Sequence, residues 1–440
     1  YTCTTMSDTT LNNTTSKPRI IVIGGGFAGL NFIKNIDRKN WDITLIDRNN
    51  FHSFPPLFYQ VASAGLDPAS ISFPLRREMR TRRAKGVKYN MGEVKSIDTV
   101  NKRVITQYET LEYDKLVIAA GTTNNFYGIS DLEKTVYTLK STAEAIRCRN
   151  DILDRLERAA ISDDPEYRRR LLTFTIIGGG PTGVEIAGAI GEMKKYILKR
   201  EYPKISVDEV TVNLVEGTDR LLRTMSERAS REVLTYMDHL MVNVILNKTM
   251  ESYRDNVIHF KDGQDIYSEM VIWTAGVTGV SFTFEGKMPE IGPGNRLVVD
   301  EFNRVQGIED VFAVGDISLH TDNAYPRGCP QLAQVAIQQA KTLAKNLKKR
   351  SFVTPFKYKD KGSMATVGRN RAVVDLKHFH MYGRPAWFTW MFVHLISLLG
   401  MRNKITVLLT WTWSYFTYSS GARLLLHTNR YPLRSRWGER

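Results

Sequence analysis

Cysteine is scarce: the 440-residue chain has three, Cys3, Cys148 and Cys329, and no Cys-x-x-Cys pair. That excludes a disulfide framework and a local dithiol motif, and it fits a reducing compartment. Long apolar runs are missing too. Seventeen uncharged residues separate Arg384 from Arg402, and 18 separate Lys404 from Arg423, both short of the about 20 apolar residues that span a bilayer. With a mean hydropathy of −0.28, a polytopic membrane protein is excluded. No period of about 20 to 50 residues recurs, so a solenoid or propeller is excluded as well. The eight histidines lack ligand spacing and no metal is expected.

Acids are nearly absent from residues 341–440, which hold three (Asp360, Asp375, Glu439) against 19 Lys and Arg. The remainder of the chain is close to neutral. The same quarter carries five of the seven tryptophans: Trp387, Trp390, Trp411, Trp413 and Trp437. A basic, Trp-rich tail suits nucleic acid or an anionic membrane surface. The N-terminal YTCTTMSDTTLNNTTSK has neither an apolar core nor an Arg-rich pattern. It reads as a disordered, solvated arm (1–17) with no signal peptide, and Met6 is a candidate start. What remains, 42% apolar and 24% charged, is the composition of a folded protein of two or three domains.

One motif appears twice. The run Arg19-Ile-Ile-Val-Ile leads into Gly24-Gly25-Gly26-Phe27-Ala28-Gly29, then a helix expected over Leu30 to Asp37. A second strand from Trp41 ends at Asp47, 18 residues after Gly29. In such a turn Gly24 permits the bend, Gly26 admits a pyrophosphate to the backbone, and Gly29 lets helix and strand pack closely. The helix start attracts phosphate and Asp47 suits a ribose. A bare glycine triplet is often an ordinary turn; here strand, helix, second strand and acid follow in order. The second copy runs from Leu172 through Gly178-Gly179-Gly180-Pro181-Thr182-Gly183 to Glu185. Its acid, Glu216, comes 33 residues after Gly183, longer than the usual about 20, as an extended helix and loop would require. A carboxylate there favours NAD over NADP.

Two dinucleotide sites suggest a resident flavin and a visiting nicotinamide. Two strands close on Ala-Gly, at Ala120-Gly121 and Ala275-Gly276, and another closes on Gly-Asp at Asp316. That carboxylate could accept hydrogen bonds from ribityl hydroxyls. These features resemble the two-dinucleotide-binding-domain flavoproteins of the glutathione-reductase-like class. The likeness is closer to one branch, type II NADH:quinone oxidoreductase, through Pro56 to Ala62, Gly178 to Glu185, Ala333 to Gln339, Asp360 to Ala372 and Trp411 to Tyr418.

The resemblance implies an α/β fold of two Rossmann-like domains with a C-terminal region of amphipathic helices. FAD, tightly bound, would occupy residues 18–140 and 295–355, NADH would dock on 141–294, and 356–440 would associate with the membrane. The enzyme would pass a hydride from NADH to FAD and electrons to a membrane quinone, menaquinone or ubiquinone, in a respiratory chain without proton pumping. It would be a peripheral, monotopic homodimer on the cytoplasmic face of the inner or plasma membrane, bound to an anionic surface and not to nucleic acid. The resemblance gives FAD the contacts Gly24, Gly25, Gly26, Phe27, Ala28, Gly29, Asp47 and Arg48. It adds Val94, Ala120, Gly121, Asp316, Ala333 and Gln334. NADH takes Gly178, Gly180, Gly183, Glu216, Ala275 and Gly276. Glu185, placed on the first turn of its helix, is expected to assist hydride or proton transfer; its bland alternative is a carboxylate complementing the helix dipole. Gln334, Ile337 and Gln338 share one helix face, and the family match puts Gln334 near the flavin and Gln338 near the quinone. His52 and Pro55 to Tyr59 are candidates for the same pocket.

Apolar positions 387, 391, 395 and 398 trace one helical stripe, and Leu408, Trp411, Tyr415 and Tyr418 another. They read as two helices in the membrane interface, or else as the aromatic core of a dimer. Residues from about Arg384 onward are expected to carry membrane attachment independently of both nucleotide sites. Two rivals stay open: a sulfide:quinone oxidoreductase using Cys148 and Cys329, and a basic flavoprotein that binds nucleic acid.

Overall fold

The computed structural model of the chain describes residues 17–349, 351–417 and 422–425; the N-terminal arm, Cys3, Tyr418, Arg430 and Trp437 lie outside them. Its first elements are β1 (Arg19–Ile23), α1 (Phe27–Asn35), β2 (Asp42–Asp47), α2 (Phe58–Ala62), β3 (Lys88–Met91), β4 (Lys115–Ile118) and α3 (Thr142–Ile161). Next come β5 (Thr173–Ile177), α4 (Pro181–Glu192), β6 (Thr211–Val215), β7 (Asn243–Ile245), β8 (Met270–Trp273), β9 (Val311–Ala313) and α5 (Ala333–Lys349). Last are β10 (Ser363–Thr366), β11 (Ala372–Leu376), β12 (Phe379–Tyr382), α6 (Gly383–Ser397) and α7 (Met401–Thr417).

The chain divides into two compact units. The first contains residues 17–49, 79–121 and 281–357. Its parallel sheet has the order β9-β4-β1-β2-β3, with Ile20 opposite Ile43 on one side and Lys115 on the other. A central parallel strand is covered on both faces, which is why β1 reads as an unbroken β-branched run. Ile20, Ile21 and Val22 are 2% exposed or less, and each such side chain contributes about 1.5–3 kcal/mol on burial. Helices α1 and α5 pack against each other.

The second unit contains residues 50–78, 122–280 and 358 onward. Its parallel sheet, β7-β6-β5-β8, repeats the pattern around β1: the strand leading into glycines in the centre, the strand ending in an acid on one side, the strand ending in Ala-Gly on the other. The boundaries differ from those expected at 140, 294 and 355. Residues 50–78 fold into a hairpin and α2, which packs on α3 and α4, and β10-β11-β12 carries α6 back onto the same unit. Helix α4 continues as a π turn, Met193–Ile197, and a last helical turn to Glu201. That added length accounts for the long spacing before Glu216.

Candidate functional site

In the first unit Gly24 has φ +103, and an added Cβ would strike the Ala119 carbonyl. A Cβ on Gly29 would strike the Gly24 carbonyl. Gly26 is the opposite case: nothing lies within 4 Å of the position its Cβ would take. Two glycines therefore close the turn and the third leaves a cradle, as a pyrophosphate needs. Helix α1 starts at Phe27, three residues earlier than expected, because Gly26 itself serves as the N-cap and no side chain caps it. Asp47 accepts the Gly25 N–H at 2.6 Å and the Asn49 N–H at 2.7 Å. Burial pushes its carboxyl up, and those two N–H groups and Arg48 oppose the push. Arg48 is exposed, while Val94 and Ala120 are half-buried beside the same sheet. Gly121, at φ +70, also faces open space. These residues fit FAD.

Asp316 lies three residues after the end of β9. Its neighbour Gly315, at φ +80, lies where a Cβ would come within 3.1 Å of the Ala28 Cβ and 3.3 Å of the Ala336 Cβ. The starts of α1 and α5 thus converge on the Gly-Asp turn. Gln339, fully buried, accepts the Gly315 N–H at 2.7 Å and hydrogen-bonds Ser318. Sequence reasoning passed over Gln339 for Gln334 and Gln338. Those two lie half-buried with Ile337 on the opposite side of α5, whose core-facing residues are Val335, Ala336, Gln339 and Ala340.

The second unit repeats the construction. Gly178 has φ +112 with the Ala275 Cα 2.7 Å from its added Cβ, Gly183 is pressed on the Gly178 carbonyl, and Gly180 faces open space. Glu216 accepts the Gly179 N–H at 2.6 Å, the counterpart of the Asp47–Gly25 bond. Its other oxygen accepts the Thr218 N–H at 2.9 Å and hydroxyl at 2.8 Å. Arg220 lies in the same loop, its carbonyl bonded by Thr218, and its Nη1 is buried without a hydrogen-bond partner. Gly276 packs on Tyr127, whose hydroxyl donates to the Ala275 carbonyl at 3.1 Å.

Glu185 is the fifth residue of α4, on the second turn and not the first, and the first turn contains no acid. The helix-dipole alternative fails with it, since that effect fades within one turn and lowers a carboxyl's pKa. The side chain is 8% exposed, and burial pushes its carboxyl up to about 8, against the Thr366 N–H and the Trp390 indole, which favour the charged form. Glu185 is therefore mostly protonated at neutral pH. Around it stand Tyr59 of α2, whose hydroxyl burial also raises, Thr366 of β10 and Trp390 of α6. His52 is buried in the hairpin of the same unit.

The C-terminal helices leave exposed a different stripe from the one expected to lie in the membrane interface, and Leu398 and Trp411 of the expected stripes are buried. Ala386, Trp390, Asn403, Val407 and Trp411 are buried, whereas Phe388, Phe392, Ile396, Ile405, Leu409, Trp413 and Phe416 are at least half exposed. The Asn403 amide donates to the Ser72 carbonyl at 2.9 Å, and Arg369 joins Glu192 of α4 to the Tyr415 carbonyl of α7. Apolar residues surround both helices, so periodicity could not say which stripe faces protein. Trp390 touches the surroundings of Glu185, so this region packs against one of the candidate site residues.

Cys148 and Cys329 are buried free thiols. Burial pushes both up, Cys329 to about 11, the reverse of what a redox thiol needs.

Residues 18–340 match the family model described as pyridine nucleotide-disulphide oxidoreductase, and residues 361–417 match the NDH2 C-terminal domain. Among curated proteins, the chain is 34% identical to type II NADH:quinone oxidoreductase Ndh of Mycobacterium tuberculosis, covering 92% of this chain and 89% of that one. It is 29% identical to an internal alternative NAD(P)H-ubiquinone oxidoreductase of Arabidopsis thaliana mitochondria, covering 91% and 84%. The fold matches the structure of NDH2 from Plasmodium falciparum in complex with NADH, with a TM-score of 0.85 at 22% identity, covering 94% of this chain and all of that one. The sulfide:quinone oxidoreductase of Aquifex aeolicus shares the fold at a TM-score of 0.69 and 18% identity, covering 94% and 96%.

Proposed function

The chain belongs to the type II NADH:quinone oxidoreductases, and from that membership we propose how its residues divide the work. The enzyme oxidises NADH and reduces a quinone. FAD, when bound, supplies the two-electron relay between them. The unit containing Gly24, Gly26 and Asp47 holds FAD, with Asp316 on the ribityl chain. The unit containing Gly178, Gly180 and Glu216 holds NADH. Gln334 and Gln338 offer neutral amides to flavin or quinone carbonyls. Quinol carries two hydrogens, whereas a hydride brings one with both electrons, so one proton must come through the protein. Glu185 holds such a proton at neutral pH.

The exposed apolar face of α6 and α7 supports attachment to a bilayer surface, with Arg384 and Arg402 exposed beside it toward anionic headgroups. Among the described residues no helix is long and apolar enough to cross a membrane. Aromatic side chains between the bases suit lipid better than a phosphate-tracking groove. A homodimer on the cytoplasmic face, taking menaquinone or ubiquinone from the bilayer, completes the reading.

The observation that carries the assignment of two nucleotides is the acid-to-glycine bond made once in each unit, Asp47 to Gly25 and Glu216 to Gly179, both at 2.6 Å. The test is spectroscopic. Purified protein should show flavin absorbance that bleaches on anaerobic NADH addition and returns on adding quinone. A protein without flavin, or with flavin that NADH leaves oxidised, would sink the reading.

A further inference from the structure

The buried aromatic cluster beneath the C-terminal helices is joined to Glu185 by contacts that anchoring alone does not require. Trp390 of α6 is 1% exposed. Its ring lies 6.3 Å from Tyr59 edge-on, 5.8 Å from Trp411 and 4.0 Å from His394, on which it stacks. The Trp411 indole N–H donates to the Gln60 side-chain oxygen Oε1 at 2.8 Å, and the Gln60 side-chain amide Nε2 donates to the Tyr59 hydroxyl at 2.9 Å. Every indole and amide in this chain of contacts has a partner except one. The Trp390 N–H is buried, faces the Glu185 carboxyl and makes no full hydrogen bond.

A buried donor without an acceptor is unusual and calls for a reason. A protonated carboxyl has its hydrogen on one oxygen, whereas a carboxylate accepts at both. The Trp390 N–H is thus a donor already in place for the charge that appears once Glu185 has given up its proton, and fixed donors of this kind need no reorganisation when charge develops. We propose that Trp390 is a positioning residue for Glu185, held by Trp411 through Gln60 and Tyr59, so that the helix pair bearing the exposed apolar face also sets how readily Glu185 releases its proton. The other groups facing this region are few. Tyr59 comes from α2 and Thr366 from β10; His394 stands behind Trp390, kept neutral by burial that pushes it down to about 4; Glu192, further along α4, is engaged by Arg369. Among the described residues no cation acts on the carboxyl to substitute for the indole.

This inference rests on Glu185 as the proton donor, and the experiment separates the two claims. In the FAD-loaded full chain, the protonated-carboxyl band of Glu185 is followed against pH by infrared difference spectroscopy, assigned by its loss in Glu185→Gln. Trp390→Phe keeps a ring and removes the N–H; the band should persist to higher pH by about half a unit or more. The pH profile of quinone reduction should shift with it, while the rate of flavin bleaching by NADH stays within about twofold. Trp411→Phe, which leaves Trp390 intact but unties Gln60, should shift the band in the same direction by less. An unshifted band in Trp390→Phe with native flavin content overturns the inference and leaves the donor reading standing. If Trp390→Phe fails to fold, an unshifted band in Trp411→Phe overturns it equally. If Glu185→Gln leaves both the band and the quinone pH profile as they were, the donor reading itself falls.

Discussion

On the proposed assignment Glu216 selects between nucleotides by charge, and Arg220 in the same loop sharpens what its loss would do. The loop also holds a base that could compensate a 2′-phosphate: Arg220, with a buried Nη1 that has no hydrogen-bond partner. Glu216→Ser should raise the NADPH-to-NADH ratio of kcat/KM by about tenfold or more, each tenfold corresponding to about 1.4 kcal/mol. Adding Arg220→Ala should return most of the gain, as steady-state kinetics with both nucleotides would show. Glu185 yields a prediction about stability. Its folded pKa of about 8 lies above the ordinary 4.5, so the folded state binds the extra proton and stability falls as pH rises between those values. Glu185→Gln lacks that proton uptake. Its melting temperature should exceed wild type by several degrees at pH 8 and by little at pH 5; a constant difference would mean the carboxyl titrates normally. The glycine turns were legible because their demands are local: bend, cradle and packing fall within six residues. Gln339 was not, because its partner Gly315 lies 24 residues upstream and only the folded core brings them together.

At the scale of elements, the join of β1 to α1 rests on one absent side chain. A Cβ on Gly29 would overlap the Gly24 carbonyl, so the helix must slide or tilt to admit it. Gly29→Ala should cost about 1–3 kcal/mol and release flavin on gel filtration, whereas Gly26→Ala, with open space before it, should fold normally and weaken FAD binding alone. Equal stability loss in both variants would contradict this division of labour. The helix start at Phe27 was misplaced by three residues from sequence because a glycine N-cap lacks the usual side-chain signal. The outward stripe of α6 and α7 was misplaced for another reason. Asn403 looks like a surface residue, yet it is 7% exposed and bonded to Ser72, 331 residues away, while phenylalanines take the outside.

At the scale of the molecule, that inversion changes how attachment should be tested. Removing everything after Gly383 would strip Trp390, Val407 and Trp411 from the second unit along with the apolar face, and deletion of each large buried side chain costs about 3–5 kcal/mol. Such a chain should aggregate instead of emerging soluble and active. The informative variant leaves the buried stripe alone: Phe392→Gln, Leu409→Gln and Phe416→Gln together, at positions 64%, 63% and 77% exposed. Each loses about 2 kcal/mol of transfer into lipid. Flotation with anionic vesicles should fail, NADH-to-ferricyanide turnover should persist, and turnover with vesicle-held quinone should fall at least tenfold. Continued flotation would assign the face to a protein partner instead.

The interleaving of the two units has a consequence for synthesis. The sheet around β1 lacks its edge strand until residue 311 is made, and the second unit lacks α6 and α7 until residue 417. Neither can close on the ribosome before most of the chain has emerged. Meanwhile β1 and β5, both β-branched centre strands with similar neighbours, compete for the same kinds of edges. Swapped pairings of this sort are a characteristic trap for chains built from repeated domains. Nascent chains arrested before β9 should therefore recruit chaperones heavily, and release from them should follow translation of the last third of the message.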